Sequence, residues 1–215
     1  AILDGIQNIM PFGVGSDLQN QSSNLVDAYK RSELIKGKGL AIYALSAIIV
    51  DKAEPSEALK ANIVWSLGLE NPKYLLSSLQ VKNFRKKGFV EEEIDVKAEK
   101  GAYFLNAEIL LSANEQKEWM LIADVNQDHS DIARILHTIK NEKKLGNLVN
   151  QSVEAGTNRL IALNAASDGL QQTADKLRDA RHFSNSLFNI MRGGIFDRNY
   201  QIEKGDFSNY LSKAN

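Results

Sequence analysis

The stretch GAYFLNAEILLSANEQKEWMLIADV, Gly101 to Val125, decides how the rest of the chain is read. Tyr103, Leu105, Ala107, Ile109 and Leu111 recur at every second position, and Trp119, Leu121, Ala123 and Val125 do the same beyond the polar run Ser112 to Lys117. A period of two puts each set on one face of a strand, so the stretch predicts a half-buried antiparallel hairpin with the polar run as its turn. Asp124-Val-Asn-Gln-Asp128 then leads into helical sequence, which makes this hairpin the junction between a β part and a helical part.

Working outward toward the start, Ile2 to Met10 reads as a strand stopped by Pro11, Gly13 and Gly15. Asp17 to Ser23 reads as a polar loop, and Asn24 to Arg31 as a strand of mixed face bounded by Gly37 and Gly39. Leu40 to Val50 is a continuous apolar run, ending in the β-branched Ile48, Ile49 and Val50, and predicts a strand buried on both faces. A charged connector, Asp51 to Glu57, precedes Leu59 to Leu67, where Leu59, Ala61, Ile63, Trp65 and Leu67 alternate inward against Lys60, Asn62, Val64 and Ser66. Asn71 as N-cap, Pro72 at the first helical position and Leu75, Leu76 and Leu79 at helical spacing predict one inserted helix that runs to Gly88.

Working toward the end, Asp128 with Asp131 three residues on opens a helix whose Ile132, Ile135, Leu136 and Ile139 form one apolar stripe. A second helix is expected over Leu148 to Ala166, ending at Gly169. Thr173 caps a third, in which Leu177, Ala180, Ser184, Leu187 and Met191 recur before Gly193-Gly194. Phe196 to Leu211 reads as a loop and a short helix. The sequence thus specifies an α+β chain, with β structure over 1–127, interrupted by the one inserted helix, and a helical segment over 128–215.

The 215 residues carry 26 basic and 27 acidic side chains, well mixed, for a formal net charge of -1, so no electrostatic footprint for nucleic acid or an anionic membrane surface is present. No apolar run approaches the roughly 20 residues of a spanning helix, and no secretory leader pattern opens the chain. A cytoplasmic location is expected. Zero cysteines exclude disulfides, thiol nucleophiles and zinc–thiolate sites. The chain begins at Ala1 already inside strand-like sequence, which reads as an excerpt of a longer polypeptide.

No residue is assigned to catalysis, cofactor or metal. Glu91-Glu-Glu-Ile-Asp95 has no histidine or second acidic cluster beside it and reads as a solvated strand edge. His129, His137 and His182 lack the spacing of a zinc helix. Ser184 and Ser186 near His182 fall mid-helix rather than on the strained turn of a nucleophile. Gly13-Val-Gly15 and Gly37-Lys-Gly39 lack the third glycine and following helix of a dinucleotide site. Trp65, Trp119, Tyr43 and Tyr103 would make a sugar-stacking platform if exposed on a sheet, but on alternating strands they read as core.

Laid end to end, Asp4-Gly-Ile-Gln-Asn-Ile-Met-Pro-Phe-Gly-Val14, Ser23 to Lys30, Ala53 to Leu59, Phe104-Leu-Asn-Ala107 with Ala123 to Asp128, and Arg181-His-Phe-Ser-Asn-Ser-Leu-Phe-Asn-Ile-Met-Arg-Gly-Gly194 resemble parts of large bacterial proteins related to cellobiose phosphorylase, of glycoside hydrolase family 94. The resemblance implies an antiparallel β-sandwich of the supersandwich, galactose-mutarotase-like kind, followed by a helical linker to an (α/α)6 barrel that carries the catalytic groups. That barrel is not in this chain. The resemblance therefore implies a non-catalytic structural domain whose partner is the missing barrel, with a second copy of the chain and a carbohydrate as further expected partners. An independent carbohydrate-binding module is the rival. The apolar third helix is the expected interface, through Leu187 and Phe188 of its apolar surface and the polar Arg181, His182 and Arg192 near the join.

Overall fold

The computed structural model describes residues 1–49, 57–141, 143–168, 170, 172–193 and 203–214. Its central strand is β7 (Gly101–Ala107), flanked by antiparallel partners β1 (Ile2–Ile9) and β5 (Lys73–Leu75) in a three-stranded sheet. The register runs from Ile2 opposite Ala107 to Ile9 opposite Gly101, with an irregularity between Gln7 and Ile9. A five-stranded antiparallel sheet holds β6 (Asp95–Lys97), β2 (Lys30–Ile35), β3 (Leu40–Leu45), β4 (Ala61–Leu67) and β8 (Met120–Gln127), in that order.

The two sheets are sandwich-like because they share a core. Leu34, Ala41, Tyr43 and Val64 of the larger sheet meet Tyr103, Leu105 and Leu76. Two phenols stitch this core across: Tyr43 Oη donates to the Ala102 carbonyl at 2.7 Å, and Tyr103 Oη donates to the Gly39 carbonyl with Ser66 Oγ 3.1 Å away. Burial pushes both hydroxyls above the ordinary tyrosine range, so they stay neutral donors. The other face of β7 presents Ala102 and Phe104 to Leu75 and Val90, packed by Val81 and Phe84 of α3 (Val81–Lys87). Burial on both faces is the consequence.

The decisive stretch is therefore two strands but not a hairpin. β7 pairs with β1 and β5, whereas β8 pairs with β4, Trp65 opposite Ile122 and Leu67 opposite Met120. The connection crosses from one sheet to the other, with Leu110 95% exposed and Leu111 exposed, and Val125 lies exposed on the edge strand β8. Alternation reports that a strand has a buried face; it does not report which strand lies beside it. Trp119 Nε1 donates to Asp4 Oδ2 at 2.7 Å and so ties the start of β8 to β1 on the other sheet.

Other expectations shift for local reasons. Two short helices, α1 (Ser16–Gln21) and α2 (Ser23–Tyr29), meet at a bend at Ser22, and β2 begins at Lys30. The helix expected from Pro72 splits into β5 and α3. Asn71 stands at φ 44°, a left-handed conformation rather than the extended one of an N-cap, while Gly88 at φ 72° closes α3 as expected. Along β4 it is Val64 that enters the shared core; Ile63 and Trp65 are buried on the opposite face, and Leu59 is exposed outside the strand. β3 ends at Leu45, and Val50 with the connector 51–56 lies outside the described residues. The acidic run is partly structural: Glu93 accepts from the backbone N–H of Leu76 and Ser77, both at 2.8 Å, and from Ser77 Oγ and Gln80 Nε2.

The chain divides into two compact units, Ala1–Lys143 and Lys144–Asn215. The first includes α4 (His129–Asn141), which opens on the reciprocal pair expected at its start: Asp131 N donates to Asp128 Oδ1 at 2.9 Å and Asp128 N to Asp131 Oδ2 at 3.3 Å. Ile132, Ile135, Leu136 and Ile139 form its half-buried stripe. The second unit holds α5 (Leu145–Asp168), α6 (Lys176–Met191) and α7 (Lys204–Ala214). Asp175 caps α6, accepting from Leu177 N and Arg178 N, and the expected cap Thr173 instead donates to Asp179.

Candidate functional site

In the first unit, β2 turns Arg31 and Glu33 to the face opposite the core residues Lys30, Ser32 and Leu34, as strand alternation requires. These two side chains, Ile42 and Ala44 of β3, Ala61 of β4 and the start of α4 enclose a cleft of about 310 Å³. Arg31 fixes its polar wall, with Nη2 2.8 Å from Glu33 Oε1 and Nε donating to Asp95 Oδ1 at 3.1 Å. The guanidinium in turn holds the Asp95 carboxyl below the usual carboxylate range. Gln127 and His129 form the facing wall. A second recess of about 250 Å³ shares Leu45 and Ala58 to Lys60 with the cleft and ends at Phe12, whose ring centroid lies 5.4 Å from Lys60 Nζ.

The carboxylates in the cleft hold structural posts. Glu33 is paired with Arg31, and Asp128 caps α4. Of the three histidines, His129 lines the cleft, His137 lies two turns along α4 and His182 is on α6. Among the described residues no group of three or more His, Asp or Glu is placed to hold a metal ion, and no helix is long and apolar enough to cross a membrane. Tyr43, Tyr103 and Trp65 are buried, and Trp119 is half-buried. The exposed aromatics among the described residues, Phe12, Phe89, Phe188, Phe207 and Tyr210, lie off the strands.

In the second unit α5 and α6 meet around fully buried side chains that are polar, with Leu163, Phe183, Leu187 and Ile190 half-buried on the same helices. Asn164, 0% exposed, donates from Nδ2 to the Phe183 carbonyl at 2.8 Å, and Ser167 and Ser186 are buried with it. These three are the buried residues among the described ones of this unit. The five residues expected at an interface divide between two faces of α6. Arg181, Phe188 and Arg192 are exposed, with the Arg192 guanidinium 5.3 Å from the Phe188 ring centroid; His182 and Leu187 are half-buried. Leu177 and Met191 of the expected stripe are 60% and 71% exposed. On α7, Phe207, Tyr210 and Leu211 make a further exposed set at helical spacing.

Residues 196–215 match the family model of glycoside hydrolase family 149 insertion domain 1. The described part of that match is residue 203 and α7. No curated protein matches the chain. The match supports a glycoside-hydrolase-related domain.

Proposed function

We propose that this chain is a non-catalytic accessory domain of a larger carbohydrate-active enzyme, and that its helical unit docks on the remainder of that enzyme. One observation carries the reading: the helical unit, as far as it is described, buries Asn164, Ser167 and Ser186 and exposes Leu148, Val153, Leu160, Leu177, Phe188 and Met191. Helices of this length in water owe most of their stability to an apolar face buried against other structure. A unit that fully buries no apolar side chain among its described residues gains from a further surface. The match to an insertion domain supports a host glycoside hydrolase as the supplier of that surface. The cellobiose-phosphorylase resemblance supports a host with an (α/α)6 barrel, joined through a supersandwich of the galactose-mutarotase-like kind. Arg181, Phe188 and Arg192 then stand at the join.

The accessory role is consistent with the chemistry of the cleft. Glycoside cleavage requires two carboxyl groups flanking the scissile bond, one of them able to carry a proton. Glu33 and Asp128 are spent on an ion pair and a helix cap. Hydrogen exchange tests the docking directly: amides of α5 and α6 are expected to exchange much faster than those of β3, β4 and β7 in the isolated chain, and to slow at least about tenfold in the intact parent enzyme. Equal protection in both settings would mean that the helical unit needs no host.

A further inference from the structure

We propose that the cleft walled by Arg31, Glu33, Gln127 and His129 is a binding site for one sugar ring, a monosaccharide or the terminal residue of a short oligosaccharide. The choice of a sugar among neutral polar ligands rests on the reading of the chain as part of a carbohydrate-active enzyme; the site itself rests on geometry.

A sugar ring offers neighbouring hydroxyls, each a donor and an acceptor, around an edge, and C–H groups on its two faces. Recognition needs planar polar side chains held at fixed spacing beside a low apolar floor. Arg31 and Glu33 stand two residues apart on one face of β2, locked to each other at 2.8 Å, and their side chains remain 40% and 42% exposed. Asp95 also holds the guanidinium, accepting from Arg31 Nε at 3.1 Å. A pair held in this way presents its outward N–H groups and carboxylate oxygen with a smaller ordering cost at binding than two free side chains. Opposite, Gln127 Nε2 donates to the Val125 carbonyl at 2.7 Å, which orients the amide. Ile42, Ala44 and Ala61 form an apolar floor.

Charge selects a neutral ligand. Among the described residues the cleft's cations, Arg31 and Lys60, are matched by its anions, Glu33 and Asp128, so neither a phosphate nor an ammonium group is favoured. Size selects a short one, because about 310 Å³ lies at the low end of small-molecule pockets. Among the described residues no Phe, Tyr or Trp ring lines this cleft to stack on the sugar, so the affinity belongs in the range of Kd on the order of 1 mM.

The test is a titration of the full chain with glucose, cellobiose and maltose, followed by amide chemical shifts. Shifts at Ser46, Gln127 and His129 that saturate with sugar are expected. Gln127→Ala and Glu33→Ala should each weaken binding at least about fivefold, and Lys82→Ala on α3 should leave it unchanged. Gln127 sits at the end of an edge strand, so that variant serves even if Glu33→Ala fails to fold. No saturable shift with any of the three sugars, or shifts centred away from the cleft, would overturn the proposal. Neither result touches the accessory reading, which the exchange experiment decides separately.

Discussion

At the scale of single residues the shared core offers the sharpest test. Tyr43→Phe keeps the ring and removes the donor to the Ala102 carbonyl, so it should cost about 1 kcal/mol in unfolding free energy, read from the denaturant midpoint. Trp65→Ala should cost about 3–5 kcal/mol because the side chain is buried. Trp119→Ala should cost less, since that ring is only half-buried where it packs against the shared core and bonds to Asp4. Sugars should leave tryptophan fluorescence unchanged, as neither indole lines the cleft. Gly101 is required by close approach. A Cβ there would stand 2.7 Å from the Ile9 carbonyl and 2.8 Å from the Tyr43 ring, so Gly101→Ala should destabilise by forcing β1 and β7 apart.

At the scale of elements, the start of α4 carries a pH dependence of known sign. The hydrogen bond from Arg134, assisted by the Asp128 backbone N–H, holds the Asp131 carboxyl below its ordinary value of 3.8. A folded-state pKa lowered below the unfolded one stabilises fully above 3.8, and that contribution disappears as pH falls through the folded value. Acid titration should therefore loosen the first turn of α4 below pH 3.8, seen as loss of amide protection at Ile132, and Asp131→Asn should remove this dependence. Such caps are legible in the sequence, as are β1, most of β4 and the stop at Gly88, because each is written within a few neighbouring residues. The partner of β8 is not, since choosing β4 over β7 depends on residues more than fifty positions away. The split of 72–88 escapes a reading of the sequence because Leu75, Leu76 and Leu79 satisfy a helix pattern as well as a short strand and turn. The cleft is illegible for the same reason as the pairing. Arg31 and Glu33 show a polar face of β2, but only the fold brings Gln127 and His129 opposite them.

At the scale of the whole molecule, the question is what covers the exposed side of α6. Leu177, Phe188 and Met191 lie at helical spacing along it, with Arg192 stacked on Phe188 at the C-terminal end. Full burial of one such side chain is worth about 1.5–3 kcal/mol, so the three favour association but drive it only weakly by themselves against a cost of roughly 4–15 kcal/mol. If the chain is the accessory domain proposed above, the host enzyme is expected to occupy this stripe; in the isolated chain, at high concentration, a second copy is the available substitute. The variant that tests this is Phe188→Glu with Met191→Glu, because Leu187 is half-buried and its replacement would disturb folding as well as surface. Light scattering should show concentration-dependent association of the unaltered chain and a monomer for the double variant, with the unfolding of the sandwich unchanged. A monomer in both cases would restrict the stripe to the host. If the same double substitution then left the intact enzyme as stable and α6 as protected from exchange as before, the face would contact nothing, and the docking of the helical unit through α6 would be wrong.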